Sequence, residues 1–173
     1  MIAGGELEIA RDELPLAPFF FDCLHADGRV VWMLVTGSAV PSGTGGSRLA
    51  VLHASQVDLD RLQALVNDLV AAERDDDGDR YSMVDEQFHL AIASATSNPL
   101  MVWLYEQINV IRTHSLWAEM RKKIITQENM RLYNVQHAAV VRAIQARDAA
   151  GAAETMVRHM DKARNDLIGA HSR

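Results

Sequence analysis

The chain has 173 residues, 49% hydrophobic and 23% charged, with a formal net charge of −6. This suits one globular domain with a single core; the lone cysteine, Cys23, excludes an internal disulfide framework and a cysteine-rich zinc module. The acidic balance argues against a surface dedicated to DNA or anionic lipid. The longest strongly apolar run, Val30 to Val35, is far short of the roughly 20 residues that span a bilayer, and the N-terminus has no basic n-region. Neither a membrane segment nor a secretory signal is expected, and residence is expected to be cytoplasmic.

Composition changes near residue 47. Residues 1–46 hold three of the four Pro and seven of the ten Gly, and Pro41-Ser-Gly-Thr-Gly-Gly-Ser47 has the composition of a loop or linker. Val30 to Val35 has a periodicity that does not separate strand from helix. The chain therefore divides into an atypical, poorly patterned segment, 1–46, and a helical unit, 47–173.

From Ser47 onward the pattern is helical. Ser55 with Asp58 is a variant of the capping box, and Leu59, Leu62, Leu65, Val66, Leu69 and Val70 recur at helical spacing. The run Arg74-Asp-Asp-Asp-Gly-Asp-Arg80 ends that helix as a solvated connection. A second helix is expected from about Arg80 to Ala95. A third starts at the cap pair Asn98-Pro99 and reaches about Ala118. A fourth runs from near Thr126 to near Arg147. A fifth is capped by Asp148 and stops at Gly169. The expected fold is all-α, an antiparallel bundle of about five to six helices behind an irregular N-terminal segment.

Polar residues interrupt the apolar stripes. On the second helix Asp85 falls within the stripe Tyr81, Val84, Phe88, Ile92, Ala95, and His89 lies one turn later on its edge. A carboxylate facing a core is costly unless paired or bound to metal, and i, i+4 spacing lets one helix offer two ligands to one ion. His137 sits among Met130, Tyr133, Val140, Val141 and Ile144, and His159 among Ala152, Met156, Ala163 and Leu167. Each lies 11 residues from Asp148, roughly 16 Å along its helix, so an antiparallel pair sets them side by side. Asp85, His89, His137 and His159 thus form a candidate set for a divalent metal such as Zn, Ni or Mn, with positions left for water or an anion. The alternative is that each histidine is a hydrogen-bonded core residue, the commoner fate of a lone His on an apolar face.

Asp85-Glu-Gln-Phe-His89, followed by Leu-Ala-Ile-Ala-Ser-Ala-Thr-Ser-Asn98-Pro, resembles the central signature of the FCD domain, the C-terminal effector domain of one branch of the GntR-type bacterial transcription regulators. The resemblance continues through Gln136-His137 and Ala143-Ile-Gln-Ala-Arg-Asp148 to Met156-Val-Arg-His159-Met. It implies an all-helical bundle and a homodimer. It also implies metal ligation by Asp85, His89, His137 and His159, and a small carboxylate effector at or near the metal. Family members often carry Glu before the third ligand, where this chain has Gln136. The family also carries a winged-helix DNA-binding domain and a first effector-domain helix bearing Arg and Glu, and neither pattern is legible before Ser47. The expectation is a truncated or frame-altered family member that meets DNA only through a winged-helix domain this chain lacks.

Two further residues are candidates for the effector. Arg112 follows Leu104 and Ile108 at i+4 spacing, which places it partly inward as a candidate effector contact; a solvated or snorkelling side chain is the commoner fate of such an Arg. Asn134 stands one turn before His137. His114 is expected to pack, Trp103, Tyr105 and Trp117 to lie in the core or a dimer surface, and Arg121-Lys-Lys123 is too small a basic cluster to argue for nucleic acid. No catalytic residue is assigned. The leading expectation is a ligand-sensing domain. The alternatives are a metal-dependent hydrolase, which finds no inward general base, and a structural dimerisation module without metal.

Overall fold

A computed structural model describes residues 20–24, 30–34, 45–112 and 115–171. Strands β1 (Phe20–Leu24) and β2 (Val30–Leu34) form an antiparallel hairpin with Cys23 opposite Val31. β1 lies against a helix of the bundle, α4 (Pro99–Arg112). The ambiguous apolar run is therefore a strand. The other helices are α1 (Gly45–His53), α2 (Gln56–Arg74), α3 (Gly78–Ala95), α5 (Ser115–Ile124), α6 (Gln127–Gln145) and α7 (Ala149–His171).

The described residues thus hold seven helices rather than five or six. One addition is α1. The other comes from the expected third helix, which divides: α4 ends at Arg112 and α5 restarts at Ser115. The sequence there, Arg112-Thr-His-Ser115, is polar and carries residue types that favour caps over helix interiors. The last helix also passes through Gly169. Leu167 is anchored against Met120 and Ile124 of α5, so one glycine in the final turn, at a cost of about 1 kcal/mol, does not end it.

Local chemistry sets the helix boundaries. Ser55 and Asp58 complete a reciprocal capping box at α2. Asp77 caps α3 by accepting from Arg80 N at 2.9 Å, and Thr126 caps α6. Asn98 accepts from Leu100 N at the start of α4. Asp148 accepts from Gly151 N at 2.9 Å, and a Cβ at Gly151 would stand 2.2 Å from the capping carboxylate.

The turns after α2 and α6 are Schellman closures. Asp76 N bonds Glu73 O and Asp77 N bonds Ala72 O; Arg147 N bonds Ile144 O and Asp148 N bonds Ala143 O. Each needs a left-handed residue, and these are Asp76 at φ 52° and Arg147 at φ 58°. Such tight turns fold α3 back on α2 and α7 back on α6.

The core lies among α1, α2, α3, α6 and α7, with Leu62, Leu69, Tyr81, Phe88, Val140, Val141 and Ile144 wholly enclosed. Val70, expected in the α2 stripe, is instead half exposed, on the far edge of the buried face. Among the described residues no helix is long and apolar enough to cross a membrane.

Candidate metal centre

Four polar side chains sit inside this apolar interior. Asp85, His89, His137 and His159 are all buried, and each offers a ligand atom within 4.8 Å of those of the others. Asp85 and His89 come from one face of α3, His137 from the middle of α6 and His159 from the middle of α7. His89 Nε2 is 3.6 Å from Asp85 Oδ1, His137 Nε2 is 3.4 Å from the same oxygen, and His137 Nε2 is 3.2 Å from His159 Nε2. Donors held at about 2.1 Å around one tetrahedral ion stand about 3.4 Å apart. The spacing and chemistry of the set therefore fit a first-row divalent ion.

Protonation favours ligation. Burial drives His137 down to about 3, with His89 and Arg121 adding to the effect. Burial also drives His159 well below the usual range, helped by His137 and His89. Both rings are neutral and carry lone pairs. Burial alone would raise Asp85, but Arg121, His89 and His137 together hold it well below the usual carboxylate range. The set thus holds one anion, Asp85, beside the neutral imidazoles of His137 and His159.

The rings are themselves supported. Phe88 lies 4.6 Å from His137 between centroids, Tyr105 stacks on His89 at 6.3 Å, and Tyr133 meets His159 edge-on at 5.7 Å. Tyr133 is held in turn by a hydrogen bond to Asp166, which also pairs with Lys162 at 2.5 Å.

Two site features were not legible in the sequence. Arg121, part of a cluster that reads as a surface patch, donates from Nη2 to Asp85 Oδ2 at 2.6 Å, so Asp85 turns one oxygen to the histidines and the other to a guanidinium. Gln136 Oε1 lies 3.0 Å from His159 Nδ1.

Arg112 and Arg121 both line a cavity of about 690 Å³ with Lys122 and Ser82 and with the carboxylates of Asp75, Asp76, Asp77, Asp79 and Glu86. Arg112 Nε and Nη1 and Arg121 Nε are buried there without a hydrogen-bond partner. Burial, then the neighbouring Arg121, lowers the Arg112 pKa, against the opposing pull of Asp85, Tyr105 and Glu86. Arg112 is thus partly buried, with Nε and Nη1 enclosed, where a solvated side chain is the commoner expectation.

Asn134 is placed differently from expectation. Its Oδ1 accepts from Tyr81 Oη at 3.1 Å, and its Nδ2 donates to Leu69 O at 3.3 Å and Glu73 Oε2 at 2.7 Å. Both ends of the amide are committed to tying α2, α3 and α6 together, so it is a structural tie and not an effector contact. His114 lies outside the described residues, as does the Trp117 side chain. Trp103 is half exposed, and Tyr105 is buried.

The sequence matches the FCD domain over residues 45–162. This chain belongs to the FCD family, the effector domain of GntR-type transcription regulators. It is 30% identical over 126 residues to the Uxu operon regulator of Haemophilus influenzae, covering 70% of this chain and 46% of that protein. It is 27% identical over 131 residues to the HTH-type transcriptional regulator LutR of Bacillus subtilis, covering 72% of this chain and 57% of the relative. The chain thus spans about half the length of the curated relatives it matches. Among solved structures, E. coli McbR/YncC superposes with a TM-score of 0.66 at 23% identity, over 74% of this chain and 59% of that one, a likeness of fold.

Proposed function

We propose that residues 47–173 are the ligand-sensing domain of a transcription regulator. Asp85, His89, His137 and His159 hold a divalent metal, Zn, Ni or Mn, and a small organic acid binds beside it with Arg112 as its fork. The observation that carries this reading is the convergence of one buried carboxylate and three buried imidazoles, their donor atoms within 4.8 Å of one another.

Charge supports the anionic ligand. The metal, when bound, supplies a Lewis-acidic point with open coordination positions. One carboxylate among the four donors leaves a divalent centre net positive, and the guanidiniums of Arg112 and Arg121 add to that field. The cavity lined by Arg112 and Arg121 also carries Asp75, Asp76, Asp77, Asp79 and Glu86, so the two guanidiniums, with Arg112 Nε and Nη1 and Arg121 Nε lacking hydrogen-bond partners, are where a carboxylate would be held. Sensing requires two arrangements of the domain with different affinity for the acid. The outputs are the packing of two copies in a homodimer and the posture of a separate winged-helix domain on DNA, in the cytoplasm. No catalytic step is assigned, because the one carboxylate at the centre is engaged by Arg121 and is not placed as a general base.

The test is metal content of purified protein by mass spectrometry, followed by thermal shift with a panel of hydroxy- and dicarboxylic acids. One equivalent of metal, and a rise in Tm for an acid that is not turned over, supports the sensor. No stoichiometric metal, together with no response to added Zn, Ni or Mn, removes it; turnover of the acid makes it an enzyme instead.

A further inference from the structure

An imidazole that presents Nε2 to a metal carries its proton on Nδ1, and a buried N–H needs an acceptor. His159 has one, Gln136 Oε1 at 3.0 Å. Gln136 immediately precedes His137 on α6, so one helix supplies both a ring for the centre and a prop for the ring on α7. His137 has no such prop: its Nδ1 is buried and without a hydrogen-bond partner.

We propose that Gln136 is the positioning residue of the centre, fixing His159 as the Nδ1–H tautomer with its Nε2 lone pair turned to the other donors. The rest of the proton arrangement follows. His159 Nε2 is then bare and accepts the 3.2 Å bond from His137 Nε2–H in the metal-free protein. His137 is left with an unprotonated Nδ1, and a stranded lone pair is less costly there than a stranded N–H. The two facing histidines are therefore not equivalent. His159 is ready to ligate, whereas His137 must first move its proton from Nε2 to Nδ1. Gln136 is also neutral. It orients His159 without pushing the ring toward imidazolate as a carboxylate would, so it leaves the centre more electropositive and its grip on the metal weaker than a glutamate would give.

The inference rests on the metal-binding reading, but its first test does not. Nitrogen-15 long-range correlation spectra of the metal-free protein at neutral pH should show His159 protonated at Nδ1 and His137 at Nε2. A His159 protonated at Nε2 overturns the proposal. The second test is zinc affinity by chelator competition. Gln136→Leu, which keeps the bulk and removes the acceptor, should weaken binding by about 10-fold or more, and Gln136→Glu should bind at least as tightly as the parent. Equal affinity for all three proteins overturns the proposal. If the leucine variant fails to fold by circular dichroism, the glutamate variant decides, and weaker binding than the parent refutes the idea. If the parent takes up no zinc, the metal reading fails while the tautomer measurement still judges Gln136.

Discussion

His137 and His159 face each other Nε2 to Nε2 at 3.2 Å across the α6–α7 hairpin, both buried. Two ring nitrogens this close share one proton or one ion. His159→Ala removes one corner of the set and should abolish stoichiometric metal uptake and the metal-dependent rise in Tm. In the metal-free state it should cost only the about 1–3 kcal/mol of an ordinary core truncation. Metal analysis beside urea unfolding separates the two effects, and full metal content in the variant would show that His159 is a packing residue.

The same burial makes metal-free stability depend on pH. The folded state keeps His137 neutral down to about 3, against an ordinary value of 6.5, and His159 is shifted the same way. Below 6.5 the unfolded chain takes up protons that the folded chain refuses, so stability falls as pH falls from 6.5 toward 3. The slope is about 1.4 kcal/mol per pH unit for each such group. Asp85, held low in the fold, adds to the loss at the acid end of that window. Urea midpoints of chelator-treated protein between pH 7.5 and pH 4 measure this, and a flat profile would contradict the burial argument.

Arg121 and Asp85 form a buried pair, their side chains 11% and 10% exposed, joined at 2.6 Å. Arg121→Ala should destabilise the metal-free protein by about 3–5 kcal/mol, because it strands a buried carboxylate. Adding Asp85→Asn to that variant should restore part of the loss, since an amide needs no counter-charge. A double variant no more stable than the single one would place the cost of Arg121 elsewhere, in lost packing.

The sequence-legible parts share a physical reason: they are local. Ser55, Asn98, Thr126 and Asp148 announce their helices because a cap acts over three residues. The juxtaposition of His137 and His159 follows from helical rise and one tight turn. What stayed hidden depends on neighbours distant in sequence. Arg121 reads as surface until α5 is known to restart at Ser115, which resets its phase against α3. Gln136 is about 100° round the helix from His137, and only α7 alongside makes it a partner of His159. Asn134 shares a turn with His137, yet its amide is claimed by Tyr81 of α3 and Leu69 and Glu73 of α2.

Arg147 closes α6 in a left-handed conformation that a side chain other than glycine disfavours by about 1–2 kcal/mol. The fold keeps it because its guanidinium donates to Val51 O at 2.6 Å and Ala54 O at 2.8 Å, capping the carbonyl end of α1. Arg147→Ala loses those bonds and keeps the strain; Arg147→Gly loses the bonds and releases it. Both should be less stable than the parent, since charged hydrogen bonds contribute about 1.5–3 kcal/mol each. The glycine variant should exceed the alanine variant by about 1 kcal/mol, less than the full strain because glycine also loosens the unfolded chain. Thermal and urea unfolding of the three proteins gives the order. A glycine variant as stable as the parent would mean that the tie from α6 to α1 contributes nothing beyond offsetting its own strain.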